Sequence, residues 1–296
     1  MPQLTGSTRS ATAADVLGPL LRRRVAVLRA REVEVRLDEP DAVHRFRVAA
    51  RRLRSLLAAF DELFDPATCE ALDVGLRQSA RIVAAARDAQ VVQRRLEGLL
   101  GDDPDALAVR TRITHQLETS YAKGRQEAVD HFDAPGYDSF TRMLDAFADL
   151  PPWTPSADAA AKDVFVRVLR REWMSMLRKG RRVQELDAGP VRDRRLHDVR
   201  KAAKRVRDVA EAQESISGRK VRRLGKAAAR LTAVLGDYQD LVVTGLLLTS
   251  SGPDLADDDL LRRVRHREAA TADELYAEFV RIFEDADRKS LRSWMS

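Results

Sequence analysis

The sequence reads His44-Arg-Phe-Arg-Val-Ala-Ala-Arg-Arg-Leu-Arg54 in its first half and His197-Asp-Val-Arg-Lys-Ala-Ala-Lys-Arg-Val-Arg207 in its second, at an offset of 153 positions (from 44 to 197). At about 100° per residue, the rotation of an α-helix, each stretch sends its apolar residues to one side. Its basic residues fall together on a different side. The two stretches therefore predict two amphipathic helices, each with an apolar stripe and a cationic stripe.

The apolar stripes are expected to face a helical core. They consist of Phe46, Ala50, Leu53, Leu57 and Phe60 on the first helix, and of Val199, Ala203, Val206 and Ala210 on the second. The composition of the 296 residues agrees, because 44% are hydrophobic, only 5% are aromatic, and Gly (14) and Pro (11) are few. Such a composition favours helices and argues against an all-β sandwich or barrel.

The cationic stripes consist of His44, Arg47, Arg51 and Arg54 on the first helix, and of His197, Arg200, Lys204 and Arg207 on the second. The members of each stripe follow one another at i+3 or i+4, a spacing at which like charges repel. No acid interleaves these four positions, so folding alone gives no reason for the arrangement, whereas a bound polyanion does. The alternative is that each stripe is solvated, or is neutralised by acids of neighbouring helices.

Charge and cysteine usage narrow the class of protein. The chain has 52 Lys and Arg against 46 Asp and Glu, and 44 of the basic residues are Arg, whose planar guanidinium suits phosphate and carboxylate partners. GC-rich codon usage explains the same bias. Cys69 is the single cysteine, which excludes an internal disulfide and fits a reducing compartment. With no secretory signal pattern and no apolar run of about 18 residues, we expect a cytoplasmic protein without a membrane partner.

Two further matches support an internal repeat. Asp15–Arg23 aligns with Asp163–Arg171, and Ile82–Val91 aligns with Val234–Val243, in the same order along the chain as the two basic stretches. One match between basic helices could arise by chance. Three collinear matches at nearly constant offset instead predict a duplication into two related halves.

The proline-rich segment Pro151-Pro-Trp-Thr-Pro155 lies near the midpoint and predicts a linker between a first half, 12–150, and a second half, 156–290. Long helices joined by short connections pack as antiparallel neighbours, so the expected fold class is all-α, with two helical bundles side by side. The turn signals predict helices at 12–37, 41–63, 67–99, 104–131 and, as a short addition, 137–149, and then at 157–186, 191–214, 218–250 and 255–287.

The paired basic stretches resemble the signature of the CHAD family, the conserved-histidine α-helical domain. Arg87-Asp88 and Gly236-Asp-Tyr-Gln-Asp240 resemble the motif on its next helix, although Ala84 stands where the second half has Gly236. The resemblance extends over residues 12–287. It implies two pseudo-symmetric, duplicated four-helix bundles with a basic groove or pore between them, which binds inorganic polyphosphate, often at polyphosphate granules.

Carried over by position, the resemblance implies a polyphosphate-binding role for His44, Arg47, Arg51, Arg52, Arg54, His197, Arg200, Lys204, Arg205 and Arg207. Arg52 and Arg205 flank the stripes, so each is equally able to pair with an acid such as Asp88 or Asp240. Further basic positions on the first and third helices of the halves either line the same groove or are solvated. They are Arg22, Arg23, Arg81, Arg170, Arg171, Arg223, Lys226 and Arg230.

Signatures of an enzyme are absent from the sequence: it has no GxGxxG, no Walker loop and no GxSxG elbow. His115, His131 and His266 do not recur at the repeat offset, and His44 and His197 lack neighbouring ligands at metal-binding spacing. We therefore expect a non-enzymatic protein without cofactor or metal. Two alternatives stay open: a nucleic-acid-binding protein that contacts phosphate backbones, and a polyphosphate-processing enzyme with a histidine phosphoacceptor. The sequence does not indicate an oligomeric state.

Overall fold

The computed structural model describes residues 11–84, 86, 107–250 and 259–295. These residues form helices throughout, with two isolated β-bridges and no strand among them, which confirms the all-α class. The helices are α1 (Ala13–Arg36), α2 (Ala42–Ala59), α3 (Pro66–Ile82), α4 (Leu107–Asp133), α5 (Pro135–Asp149), α6 (Ala161–Gln184), α7 (Pro190–Ser250), α8 (Asp259–Asp287) and α9 (Lys289–Arg292). Short 3-10 turns lie at Asp61–Leu63, Pro155–Asp158 and Ser293–Met295.

Most helix ends lie within a few residues of their predicted positions, and the exceptions have local causes. The predicted helix 41–63 ends as an α-helix at Ala59 and continues as a 3-10 turn. The described part of the predicted helix 67–99 is α3, which begins where Asp65 accepts a hydrogen bond from the backbone of Thr68 and Pro66 occupies the first turn. The Arg87-Asp88 motif lies outside the described residues.

Helix α7 consists of two helical arms, at 190–217 and 219–250, which correspond to the predicted helices 191–214 and 218–250. They meet at Gly218, whose backbone has φ 62° and ψ −146°. A residue with a Cβ rarely adopts such a conformation. Glycine therefore allows the chain to change direction within one residue, without a long loop between the two arms. The backbone conformation at Gly218 therefore sets the direction of the 219–250 arm relative to the 190–217 arm.

A single core runs through both predicted halves. Phe46 and Leu53 of α2, and Phe60 directly after it, are at most 1% exposed, as the apolar stripe predicts, and every residue of the second stripe is at most 3% exposed. The ring of Phe60 lies 4.8 Å from that of Phe165 on α6, between ring centroids. Phe64, just after α2, stacks on Trp153 of the proline-rich segment at 4.9 Å. The segment 151–155 is therefore packed into the core.

The beginnings of α1 and α6 pair with each other. The backbone N–H of Ala13 donates to the carbonyl of Ala159 at 2.9 Å, and that of Ala161 donates to the carbonyl of Ala11 at 3.0 Å. Positions 11 and 13 correspond to 159 and 161 at the offset of 148 that aligns Asp15 with Asp163. This pairing is the one that a two-fold axis between repeats would produce, while the duplication and the division at 12–150 and 156–290 stay predictions.

Candidate anion-binding groove

The two cationic stripes lie on helices that contact each other. Helix α2 packs against α1, α3 and α7, and its contact with α7 brings the two basic stretches together. Nη1 of Arg51 donates to Oδ2 of Asp208, on the 190–217 arm, at 2.5 Å. Arg51 is also close enough to Lys204 to lower the pKa of its ammonium group. We call the surface formed by Arg47, Arg51, His197, Arg200, Lys204 and Arg207 the cationic groove.

Lys204 is the most perturbed cation of this groove. Burial, followed by the charges of Arg200, Arg51 and Arg207, lowers the pKa of its amine to about 7, and Asp208 offsets only part of this effect. Among the described residues, no carboxylate lies within ion-pair distance of its Nζ. A half-buried ammonium next to three guanidinium groups is costly without an anion. The described part of the groove is therefore short of negative charge at this point.

Arg200 lies against the 219–250 arm. A Cβ on Gly236 would come within 3.2 Å of Nη2 of Arg200, so the glycine makes room for the guanidinium. Burial lowers the pKa of Arg200, while Asp240 and Asp237 of the same arm act in the opposite direction. At the corresponding place in the first half, Nη1 of Arg47 donates to the carbonyl of Ala84 at 3.3 Å. Ala84, which stands where the second half has Gly236, therefore contacts the arginine through its backbone carbonyl.

Several polar atoms of the groove are buried without a hydrogen-bond partner among the described residues. They include Nε of Arg200, Nε of Arg207 and Nδ1 of His197. Burial and the charges of Lys201 and Arg200 lower the pKa of His197, which also shares a hydrogen bond with the side chain of Gln239. Buried donors normally find an acceptor. Water or a bound anion would satisfy these atoms.

One end of the groove contains carboxylates of α7 that face arginines of α2, so acids of a neighbouring helix neutralise part of the first stripe. Asp208 is 2% exposed and also lies 3.5 Å from Nη2 of Arg207. Glu211, one turn further along the arm, contacts Nη2 of Arg52 at 3.3 Å and Nη2 of Arg24 at 3.5 Å. We call Asp208 and Glu211 the acidic end. The expectation that no acid interleaves the stripes holds from His197 to Arg207 and fails immediately beyond.

Three candidate residues face acids outside the groove or at its acidic end. Arg54 donates from Nε to Asp73 of α3 at 2.7 Å. Arg205 donates from Nε to Glu172 of α6 at 3.0 Å. Arg52 lies against the acidic end. Both flanking arginines therefore pair with acids, Arg52 with the acidic end and Arg205 with Glu172, while Asp88 lies outside the described residues.

The remaining candidates are divided between the surface and other contacts. Arg171 donates to the carbonyl of Ala59 at 2.5 Å and lies near Asp61, so it holds the end of α2. Arg223, Lys226 and Arg230 are exposed on the face of the 219–250 arm that continues to Asp237, beside Arg200. A Cβ on Gly225, next to Lys226, would come within 3.3 Å of Cβ of Ala210, so this part of the arm lies beside the acidic end rather than beside Arg200. The side chains of Arg22, Arg23, Arg81, Arg170 and His44 are exposed.

The described residues contain no group of three His, Cys, Asp or Glu side chains placed to hold a metal ion. None of the described helices is both long and apolar enough to cross a membrane. Burial and the charges of Asp61 and Asp65 raise the pKa of the Cys69 thiol to about 11, so this thiol is protonated at neutral pH.

A family model described as the CHAD domain matches residues 19–249, which include both cationic stripes and the acidic end. The chain belongs to the CHAD family. Proteins of two Mycobacterium tuberculosis strains, both described as uncharacterized, are 30% identical to it over 218 residues. The match covers 71% of this chain and 40% of theirs, so the chain spans well under half the length of these curated relatives.

Solved structures share the fold of this CHAD protein. The CHAD domain from the plant Ricinus communis superimposes with a TM-score of 0.73 at 23% identity, over 98% of this chain and 95% of that one. PptA from Streptomyces chartreusis superimposes with a TM-score of 0.73 at 16% identity, over 93% of this chain and 99% of that one. At these identities the likeness concerns the fold.

Within this CHAD domain, sequence reasoning missed Arg24, Asp208, Glu211 and Glu172. Two signals were present. Asp208 and Glu211 follow Lys204 and Arg207 at i+4, so a helical wheel extended by one turn shows the stripe ending in acids. Arg24 and Glu172 are the next aligned pair after Arg23 and Arg171, at the same offset of 148. Opposite charges at one repeat position indicate that the halves are neutralised differently.

Proposed function

We propose that this CHAD protein binds inorganic polyphosphate in the cationic groove and does not catalyse a reaction of the bound polyphosphate. The observation that carries the proposal is the convergence of Arg51 and Lys204 from opposite halves, with the pKa of Lys204 lowered by burial and by the surrounding cations. Linear polyphosphate carries closely spaced negative charges, so one chain can contact cations from both stripes. Nε of Arg200 has no hydrogen-bond partner among the described residues, so the Arg200 guanidinium is a donor for phosphate oxygens.

The acidic end gives the groove a polarity. The guanidinium groups of Arg51, Arg52 and Arg207 already face Asp208 or Glu211, whereas Lys204 has no such partner among the described residues. A polyanion is therefore expected to bind near Arg200 and Lys204 and to be repelled near Asp208. Binding in the cytoplasm, including at polyphosphate granules, is part of the same proposal.

Nucleic-acid binding is an outcome that the experiment separates from this one. The groove residues include no aromatic side chain for base stacking. A competition between long-chain polyphosphate and duplex DNA, at equal phosphate concentration, decides between the two polyanions. Preferential displacement of polyphosphate by DNA would overturn the proposal.

We expect the affinity for long-chain polyphosphate to fall steeply with salt and to exceed that for tripolyphosphate by a wide margin. Each phosphate that a cation neutralises releases a condensed counterion, and a long chain contacts both stripes at high effective concentration. Isothermal titration over a range of salt concentrations, with both ligands, measures the two effects. A dependence on salt that is nearly flat, or equal affinities for the two chain lengths, would show that the stripes are solvated surfaces.

The affinity for polyphosphate is also expected to fall as pH rises above 7. Lys204 loses its proton near pH 7 in the free protein, since its pKa is lowered to about 7. An anion stabilises the ammonium form and raises that pKa, so binding at higher pH must take up a proton. The loss amounts to at most about tenfold per pH unit between the two pKa values. Titrations at pH 7, 8 and 9 measure it, and Lys204→Arg should flatten the profile because arginine stays charged. Parallel profiles for the two proteins would contradict this role of Lys204.

A further inference from the structure

The acidic end lies inside a cluster of arginines that come from three helical segments, α1, α2 and the 190–217 arm. The arginines within ion-pair distance of its two carboxylates are Arg24, Arg51, Arg52 and Arg207. Four positive charges therefore face two negative ones among the described residues. The cluster keeps an excess of positive charge even though each of its arginines has an acidic neighbour.

The two carboxylates of the acidic end are held with different strength. Asp208 is 2% exposed, and its Oδ2 accepts a hydrogen bond from Nη1 of Arg51 at 2.5 Å. Glu211 is 35% exposed, and its oxygens lie 3.3 Å from Nη2 of Arg52 and 3.5 Å from Nη2 of Arg24. Strong charge-assisted hydrogen bonds are about 2.7 to 2.9 Å long, and partly exposed ion pairs contribute little to stability. Asp208 is therefore the fixed acid of the cluster, and Glu211 is the exchangeable one.

Arg24 depends on Glu211 for its neutralisation. Among the described residues, Glu211 is the one carboxylate within ion-pair distance of the Arg24 guanidinium. Burial, followed by the charge of Arg52, lowers the pKa of Arg24, while the acidic end acts in the opposite direction. The residue equivalent to Arg24 in the second half is Glu172, which pairs with Arg205 at 3.0 Å. The first half thus has two neighbouring arginines where the second half has an ion pair, and both share the carboxylate of Glu211.

A phosphate group suits the place that this carboxylate occupies. Two guanidinium groups converge there from α1 and α2, and a phosphate offers them more oxygens than a carboxylate does. Glu211 follows Lys204 by seven residues, which is about two helical turns, so both lie on the same side of the arm and about 10 Å apart along its axis. A polyanion held near Lys204 therefore reaches Glu211 by extending along one face of the helix.

We propose that Glu211 is a built-in competitor for the bound polyanion, whose carboxylate takes the place of a phosphate group between Arg24 and Arg52. Its side chain has to turn towards solvent before a polyphosphate chain can extend from Lys204 onto these two arginines. The buried Asp208 stays in place with Arg51. This inference rests on the proposed function, because it concerns the extent of the same binding surface. Glu211 then limits the number of phosphates that the protein binds.

The experiment is isothermal titration of the full chain and of its Glu211→Gln variant with long-chain polyphosphate, over a range of salt concentrations. We expect the affinity to increase by about tenfold, because two charged donors lose their internal competitor. The plot of log affinity against log salt should become steeper by about one for each additional phosphate contact. An affinity and a salt dependence that both stay unchanged would overturn the proposal.

Glu127→Gln is the matched control for the change in net charge. Glu127 is exposed on α4, a helix that packs on α1, α3 and α5. Its replacement removes the same charge as Glu211→Gln, so long-range attraction alone predicts equal gains in affinity. We expect a much smaller gain for Glu127→Gln, and equal gains would contradict the role of Glu211. Thermal unfolding followed by circular dichroism checks that each variant is folded.

Arg24→Gln tests which cation Glu211 occupies. In the otherwise unchanged protein Arg24 already has a carboxylate, so its replacement should change the affinity for polyphosphate only slightly. In the Glu211→Gln protein the same replacement should remove most of the gain. Equal effects in the two backgrounds would mean that the residues are not coupled, and would exclude competition for Arg24.

Glu211→Asp provides a variant that keeps the charge of the acidic end. The shorter side chain draws the carboxylate away from Arg24 and Arg52 by one methylene group. We expect a smaller gain in affinity than with Glu211→Gln, in the same direction. A loss of affinity would contradict the proposal.

Competition with duplex DNA, at equal phosphate concentration, separates failure of this inference from failure of the proposed function. If polyphosphate binds with the expected salt dependence and Glu211→Gln brings no gain, the inference fails alone. If duplex DNA displaces polyphosphate preferentially and Glu211→Gln binds both polyanions more tightly, the proposed function fails and Glu211 remains a competitor. If neither protein binds either polyanion, both proposals fail.

Discussion

Lys204→Glu is expected to weaken the binding of long-chain polyphosphate by about 100-fold, which corresponds to about 2.7 kcal/mol. The change replaces a positive charge by a negative one at the groove residue that has no ion pair with a described carboxylate. It should leave the fold intact or stabilise it, because a carboxylate there would face Arg51, Arg200 and Arg207 instead of adding to their repulsion. Isothermal titration gives the affinity, and thermal unfolding followed by circular dichroism gives the stability.

Lys162→Glu is the matched control for this variant. Lys162 is exposed in the first turn of α6, and its replacement changes the net charge of the protein by the same amount. If long-range attraction alone drives binding, both variants lose affinity equally. Equal losses, or unchanged affinity in a folded Lys204→Glu protein, would place the polyphosphate site outside the groove.

Arg51→Met is expected to destabilise the protein by about 3 kcal/mol. The reason is that Asp208 is 2% exposed and loses its contact with Nη1 of Arg51 at 2.5 Å. Its other partners, Arg207 at 3.5 Å and Arg52 at 3.9 Å, are further away. A buried carboxylate with weakened partners costs far more than the same group in water. Urea unfolding measures the loss in the free energy of unfolding.

Two further variants test the cause of that loss. Arg54→Met removes the ion pair between Arg54 and Asp73. Both side chains are about one-third exposed, so we expect the free energy of unfolding to fall by less than about 1 kcal/mol. The double variant Arg51→Met, Asp208→Asn should regain most of the stability, because it removes the charge that was left unpaired. A loss in Arg51→Met that Asp208→Asn does not reduce would assign the effect to packing.

The sequence predicted the part of the fold that depends on short-range periodicity. The apolar stripe from Phe46 to Phe60 faces the core because helical rotation fixes which residues share a side. The contact between Arg51 and Asp208 could not be predicted in the same way, since it joins residues 157 positions apart. No local pattern determines the distance between two helices or which of their residues meet.

The acids that neutralise the flanking arginines, Arg52 and Arg205, could not be predicted for a different reason. Arg205 pairs with Glu172 across α6 and α7, while the equivalent Arg52 faces Arg24 and obtains its acids from the other half, at Asp208 and Glu211. The corresponding residues of α2 are Ser55 and Ala58. A repeat argument assumes equivalent surroundings for equivalent residues. Here the acids that complete one half lie on the other, so the assumption fails where the halves meet.

The shared core has a consequence for kinetics. The two walls of the groove, α2 and the 190–217 arm, belong to different predicted halves, yet Phe60 packs on Phe165 at 4.8 Å and Phe64 stacks on Trp153 at 4.9 Å. A hinge between the halves would have to separate the buried rings of Phe60 and Phe165, while Trp153 belongs to the segment between the halves. If the proposed function is correct, we expect capture of a polyanion without a closing step, with association governed by an encounter rate that charge steers. We then expect release to proceed one phosphate contact at a time, so that residence time increases with the length of the bound chain.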